Sequence, residues 1–323
     1  MKKKTKIFNA KILLFGEYTV LLNSKALTIP YTFFSGHLSF IGEDKYTKYD
    51  QAQKSNKDML AFLDYLKTGK KDLIEQTAFD LDEMEKDLKN GLFFESNIPQ
   101  GYGVGSSGAL VAAVYNKYSG NRIKETNSHS IVELKKIFSV MESYFHMTSS
   151  GMDPLNCYIG KPLLISTRKE INIVNVPHQN NNADGAIFLI DSGYPGETEP
   201  MMTLFINKIK NISYRNDLLS HFIPLNNRCI DEVTNGDIIG FFKSLNILSD
   251  MQLRLFPEMI PEKFLDIWKQ GLESGKFTLK LCGSGGGGFL LGFTMDYTEA
   301  ELLMKKNNIE MIPVFKNSIF RRT

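Results

Sequence analysis

Ile98-Pro99-Gln100-Gly101-Tyr102-Gly103-Val104-Gly105-Ser106-Ser107-Gly108-Ala109-Leu110 decides how the rest of this chain is read. Glycines and paired serines run directly into an apolar segment, Ala109 to Tyr115. Glycine reaches positive φ without penalty and lets backbone N–H groups approach a ligand with no Cβ in the way. A helix apolar on every side is buried, and this one has its N-terminus aimed back at the loop. Free amides and the positive end of the helix dipole would there meet an anion, with phosphate the natural guest. Ser106 and Ser107 fit two roles. They could be helix N-caps, or a hydroxyl could ligate a magnesium ion carried by phosphates, as the last residue of a P-loop does. No lysine follows the last glycine, so the stretch is not a Walker motif.

The 323 residues suffice for two ordinary domains, and 42% hydrophobic with 23% charged residues is the composition of a globular enzyme. A formal net charge of +2 gives no case for nucleic acid. Lys11 interrupts the first apolar run, and no small-residue cleavage site follows, so the start does not read as a signal peptide. No stretch approaches the ~18 apolar residues of a membrane span. Cys157, Cys229 and Cys282 lack metal-type spacing, the five histidines form no zinc-binding pair, and a cytoplasmic location with reduced thiols is expected.

Working outward, residues 6–15 read as a strand ending at Gly16, Ala26 to Phe34 as a second and His37 to Ile41 as a third. Amphipathic spacing predicts helices over Lys57 to Leu66, closed by Gly69, and over Asp80 to Lys89, closed by Asn90-Gly91. Leu92 to Ser96 is a strand feeding the glycine loop. Ser130 is expected to cap a helix to Phe145. Its apolar stripe contains one misfit, Glu142, whose carboxylate lies at the stripe's margin: it is either a boundary glutamate snorkelling to solvent or a buried one that needs something positive to receive it. Ser149-Ser150-Gly151-Met152-Asp153-Pro154 is a turn into a short helix. Strands follow at Pro162 to Ser166 and Ile171 to Val176. The polar run His178 to Asp184 reads as a linker, giving domains 1–180 and 181–323. In the second, strand 186–190 ends at Asp191-Ser192-Gly193, helices run to about Leu272, and strand 277–281 enters Gly283-Ser284-Gly285-Gly286-Gly287-Gly288. A strand, a helix from Thr298 and a final strand close the chain. Four glycines inside a compact unit suggest backbone passing close to something.

Three stretches in order, Lys11 to Tyr18, Pro99 to Ala109 and Lys280 to Gly288, resemble the three signature motifs of the GHMP kinases. Ser150 to Asp153 and Glu142 resemble the segments of mevalonate kinases that carry a catalytic aspartate and a magnesium-binding glutamate. Asp191-Ser192-Gly193 with Gly196 and Thr198 is similar to the start of the C-terminal domain in bacterial and archaeal mevalonate kinases. The resemblance implies an α+β fold of two domains, N-terminal ribosomal-protein-S5-domain-2-like and C-terminal ferredoxin-like, with the active site between them. It implies ATP and Mg²⁺ as cofactors, phosphates on Gly101, Gly103, Val104, Gly105, Ser106, Ser107 and Gly108, and the metal on Ser107 and Glu142. Asp153 and Lys11 would face the accepting hydroxyl, and Gly285, Gly286 and Gly287 would shape a floor beneath the loop. Glu17, Tyr18 and Thr198 would contact substrate. The partner would be a small-molecule alcohol, with mevalonate the leading acceptor, and the chain a monomer or homodimer bound neither to nucleic acid nor to membrane.

The chain departs from the family pattern at Asn9-Ala10, usually Pro-Gly, at Tyr18, commonly His in mevalonate kinases, and at Gly108 and Leu110. Gly16-Glu17-Tyr18 is more like phosphomevalonate kinases. These positions bear on the acceptor rather than the nucleotide, and a phosphomevalonate kinase or another metabolite or sugar kinase of the same superfamily is the alternative enzyme. A protein that merely senses ATP or a metabolite is the alternative of another class; the full set Lys11, Ser107, Glu142 and Asp153 argues for catalysis.

Overall fold

The computed structural model describes residues 6–42, 48–68, 70–146, 149–167, 170–176 and 185–318. Strand β1 (Phe8–Phe15) alternates inward apolar residues, with Ala10, Ile12 and Leu14 fully buried. It pairs antiparallel with β2 (Ala26–Phe40), one continuous strand where two were expected. The break read at Ser35-Gly36 is a change of partner. Residues before it pair with β1, those from Gly36 to Phe40 pair with β3 (Leu92–Ser96), and a Cβ at Gly36 would lie 2.3 Å from the Phe94 ring. Glycine is there for the approach of that ring.

Helix α1 (Tyr49–Lys67) begins eight residues before its expected start. Its first turns are polar because they serve β3: Asn56 donates to the carbonyls of Leu88 and Leu92, and Ser55 both donates to the Phe94 carbonyl and accepts from its N–H. The helix ends at Lys67, and Gly69 lies outside the described residues. A short helix that the sequence reading lacked, α2 (Lys71–Thr77), precedes α3 (Leu81–Lys89), which Asp80 caps. The glycine loop then enters α4 (Ser106–Tyr118), followed by α5 (Ser128–His146) and α6 (Met152–Ile159). Ser130 does not cap α5; it lies inside the first turn, and the Asn127 side chain accepts from its N–H. Strands β4 (Leu163–Thr167) and β5 (Glu170–Ile173) extend the sheet beyond β2, giving the order β1-β2-β4-β5 with β3 also on β2.

The expected boundary at 180/181 falls in residues 177–184, outside those described. Strand β6 (Gly185–Asp191), buried throughout except at its end, opens a second sheet. Helices α7 (Thr198–Lys208), α8 (Ile212–Asp217), α9 (Ile223–Asn235), α10 (Ile238–Leu255) and α11 (Leu265–Ser274) follow. Strands β7 (Thr278–Leu281) and β8 (Phe289–Thr294), helix α12 (Tyr297–Lys306) and strand β9 (Ile312–Ser318) complete the fold. The antiparallel order β7-β8-β6-β9 is that of a ferredoxin-like sheet. The whole is α+β in two sheet-centred halves, and one hydrophobic cluster runs through both. No helix among the described residues is long and apolar enough to cross a membrane.

Candidate active site

Backbone contacts bring the three glycine-bearing stretches together. The Lys11 N–H donates to the Val104 carbonyl at 3.0 Å, fixing the glycine loop to β1. The Gly196 N–H donates to the Gly101 carbonyl at 2.8 Å, and Gly288 exchanges backbone bonds with the 192–194 turn, accepting from Ser192 at 2.9 Å and donating to Tyr194 at 2.8 Å. Gly286 donates to the Met259 carbonyl. A Cβ at Gly103 would stand 3.2 Å from the Cys282 carbonyl, and one at Gly288 only 2.9 Å from the Cα of Tyr102. The segment's two ends, Cys282-Gly283 and Gly288, lie against the loop, whereas Gly285, Gly286 and Gly287, all at positive φ, face Met259, Met201 and the Pro195-Gly196 turn.

Gly105, at φ 81°, is the N-cap of α4. Only glycine turns there cheaply while Lys11 passes beneath, since a Cβ would fall 2.9 Å from Lys11 Cγ. Ser106 and Ser107 are thus the first helical residues rather than caps, and no side chain caps this end. The amides of Ser106, Ser107 and Gly108 belong to the first turn, which has no intrahelical acceptors. Gly108 serves closeness: its Cβ would lie 2.7 Å from the backbone carbon of Asp153, so α4 and α6 meet N-terminus against N-terminus. Two positive helix ends converge where an anion is expected.

Beside that point Lys11 Nζ lies 2.9 Å from Asp153 Oδ1, the lysine side chain 6% exposed and the aspartate 39%. Burial by itself would lower the Lys11 pKa, but the Asp153 charge and hydrogen bond outweigh it, and the ammonium is held above its ordinary value. Glu142, only 3% exposed, accepts from Ser107 Oγ on one oxygen at 3.2 Å and from Ser149 Oγ on the other. Burial, with the neighbouring Asp153 charge second, pushes its carboxyl up to about 8. No cation of the described residues forms an ion pair with it.

A buried carboxylate of this kind, with a serine hydroxyl against it at a helix N-terminus, fits a divalent cation: the cation would offset the desolvation that raises Glu142. Among the described residues no three His, Cys, Asp or Glu side chains gather closely enough to hold a metal alone. Ser107 and Glu142 suit a metal whose other ligands arrive with the phosphates, as Mg²⁺ commonly does.

Two polar residues here were missed from the sequence. His146 Nε2 lies 3.1 Å from Ser107 Oγ, and Ser149 holds Glu142. His146 follows Glu142 by four positions on α5, so the helical period could have placed it on the same face. Glu17 and Tyr18 lie at the joint between the two halves. Glu17 pairs with Lys280 of β7 at 2.5 Å, and the Tyr18 hydroxyl donates to the Ser284 carbonyl while its ring packs on Phe205 and Phe256. Tyr18 adopts φ 58°, strained for a residue with a side chain. Thr198 opens α7 with its hydroxyl 3.2 Å from Ser284 Oγ, at the glycine run's edge.

Residues 70–161 match the family model described as GHMP kinases N terminal domain. No curated protein matches the chain in sequence. Its fold is similar over nearly the full length to several solved structures. The L. major mevalonate kinase in complex with R-mevalonate has TM-score 0.65 and 14% identity, with 98% of this chain and 97% of that one covered. The Streptococcus pneumoniae phosphomevalonate kinase in complex with phosphomevalonate and AMPPNP has TM-score 0.66 and 12% identity, covering 98% and 100%. The Lactococcus lactis galactokinase complexed with galactose has TM-score 0.60 and 14% identity, covering 99% and 96%. At such identities the likeness is one of fold, and these three proteins act on different acceptors.

Proposed function

We propose that this chain is a GHMP kinase that transfers the γ-phosphoryl group of ATP to the primary hydroxyl of mevalonate, a reading supported by the match of residues 70–161 and by the shared fold. The observation that carries the reading is the Lys11–Asp153 pair, set at the meeting of two helix N-termini and next to the buried Ser107–Glu142 pair. Phosphoryl transfer requires little covalent help from a protein, so alignment and charge neutralisation are the main work. The phosphates lie on the amides from Gly101 to Gly108. Asp153, the more exposed of its pair, accepts the proton of the substrate hydroxyl as the oxygen bonds to the γ-phosphorus and the bond to ADP breaks. Lys11 keeps its charge and stabilises the oxygen and the phosphoryl group in flight. Ser107 and Glu142 would hold Mg²⁺, which would supply the remaining neutralisation of the phosphates. Gly287 packs on Gly196, whose N–H holds the Gly101 carbonyl, so the Gly285 to Gly287 run would steady the loop through that turn, and Thr198 would contact the acceptor.

Mevalonate as the acceptor rests on the resemblance of Glu142, Ser150 to Asp153 and Asp191 to Thr198 to mevalonate kinases, and is supported by the fold shared with the L. major mevalonate kinase bound to R-mevalonate. A phosphorylated acceptor is the second reading, and one observation favours it. The Lys263 ammonium sits at the 191–194 turn, donating to the Ser192 carbonyl, where it could meet a phosphate. ATP consumption with Mg²⁺ against mevalonate, phosphomevalonate, homoserine and a panel of sugars, with the product identified by mass, tests both. Selective turnover of mevalonate is expected; turnover of another alcohol alone would move the specificity and keep the mechanism.

A further inference from the structure

Away from the glycine loops, a cavity of about 430 Å³ opens at the far ends of β1, α4 and α6. Its walls carry three cations, Lys6, Arg122 and Lys124, above an apolar floor that includes Leu134, Tyr158 and Ile159. One residue organises two of the cations. The Asn116 side-chain oxygen accepts from Lys6 Nζ at 3.0 Å, and its backbone carbonyl accepts from Arg122 Nη1 at 2.7 Å. Lys6 also stands 4.7 Å from the centre of the Tyr158 ring and 5.1 Å from that of Phe8. Tyr158 is fixed in turn, donating to the Ile123 carbonyl at 3.1 Å.

The C-terminal end of α4 accounts for one nearby cation, because its last carbonyls attract positive charge. It does not account for three. None of Lys6, Arg122 and Lys124 forms an ion pair among the described residues. The single lining carboxylate, Glu125, is engaged by Asn127 at 3.0 Å. Burial and the charge of Arg122 both lower the Lys6 pKa, so the group is held where its charge is disfavoured unless an anion joins it.

We propose that this cavity is a second anion site, taking a small phosphate ester whose phosphate meets Lys6 and Arg122 and whose hydrocarbon body lies on Tyr158 and the apolar floor. The fork of a guanidinium beside an ammonium suits phosphate geometry, and the volume is that of a small-ligand site. The site is separate from the catalytic cleft. Lys6 precedes Lys11 by five positions, roughly 16 Å of extended chain, and Ser107 precedes Asn116 by nine positions of α4, roughly 13 Å of helix.

Titration of the full chain with phenyl phosphate, followed by calorimetry with and without a saturating non-hydrolysable ATP analogue and Mg²⁺, decides the matter. Binding that persists when nucleotide is present is expected. Arg122→Gln and Lys6→Met should each weaken it roughly ten- to a hundredfold, the worth of one charge-assisted hydrogen bond, and leave turnover without phenyl phosphate unchanged. Lys6 lies outside β1 and bonds only a side chain, so Lys6→Met keeps the test valid even if Arg122→Gln disturbs the end of α4. Absence of binding, full competition by nucleotide, or equal affinity in both variants would overturn the proposal.

Discussion

Lys280 of β7 reaches Glu17 of the turn after β1, its Nζ 2.5 Å from Oε1, with both side chains out of solvent. The two residues are 263 positions apart, and their contact joins the sheet that carries Lys11 to the sheet behind the second glycine loop. Burial raises the Glu17 carboxyl pKa and Lys280 opposes that rise. Removing one partner strands the other. Lys280→Met is expected to destabilise the fold by about 3–5 kcal/mol, while Glu17→Leu combined with Lys280→Met recovers much of that loss. Urea denaturation of Lys280→Met, Glu17→Leu and the double variant checks it; an additive double variant would contradict a coupled pair.

Asp153→Asn and Lys11→Met keep the shape of the Lys11–Asp153 contact but remove the proton acceptor or the charge. Turnover should fall by about 10²–10⁴ or more, with the melting transition and nucleotide binding largely retained. Steady-state kinetics beside calorimetric ATP binding separates the two. Unchanged turnover in a folded variant would remove the residue from the chemistry.

Glu142 makes the stability of the metal-free protein depend on pH. Its carboxyl is raised to about 8 by burial and Asp153, whereas the unfolded chain ionises near the ordinary 4.5. Below 4.5 both states hold the proton. Between these values the unfolded state releases it while the folded state keeps it, so folding is increasingly disfavoured as pH rises, and above 8 the loss is complete. The melting temperature without metal should therefore decline from pH 5 to 8, and Glu142→Gln should flatten that decline. Identical slopes would place the effect elsewhere.

Gly108→Ala tests the meeting of α4 and α6. A methyl group 2.7 Å from the Asp153 backbone must displace Asp153 or the helix start. The expected cost is about 1–3 kcal/mol of stability, together with a larger fall in kcat than in nucleotide affinity. A variant with native kinetics would show that the two helix ends have slack.

Much of this was legible in the sequence because the signals were local. The glycine loop feeding an apolar helix, the misfit Glu142 on an apolar stripe and the closing strand-helix-strand unit each follow from composition and period. What was not legible depended on partners distant in the chain. β2 looked broken at Gly36 because only the folded chain brings the Phe94 ring against it. α1 looked short because Ser55 and Asn56 read as loop residues until β3 supplies the backbone groups they bond. The spatial partners of Glu17 and Tyr18 belong to the other half of the chain, and the role of Asn116 in holding two cations needs Lys6, 110 positions away.

The central claim is phosphoryl transfer from ATP to an alcohol at the Lys11–Asp153 pair, and its most direct measurement is mass analysis of the acceptor after incubation with ATP and Mg²⁺, wild type beside Asp153→Asn. The account predicts that mevalonate gains one phosphoryl group with wild type in step with ADP release, and gains almost none with the variant. ATP bound by both proteins with no alcohol in the panel ever phosphorylated would contradict it.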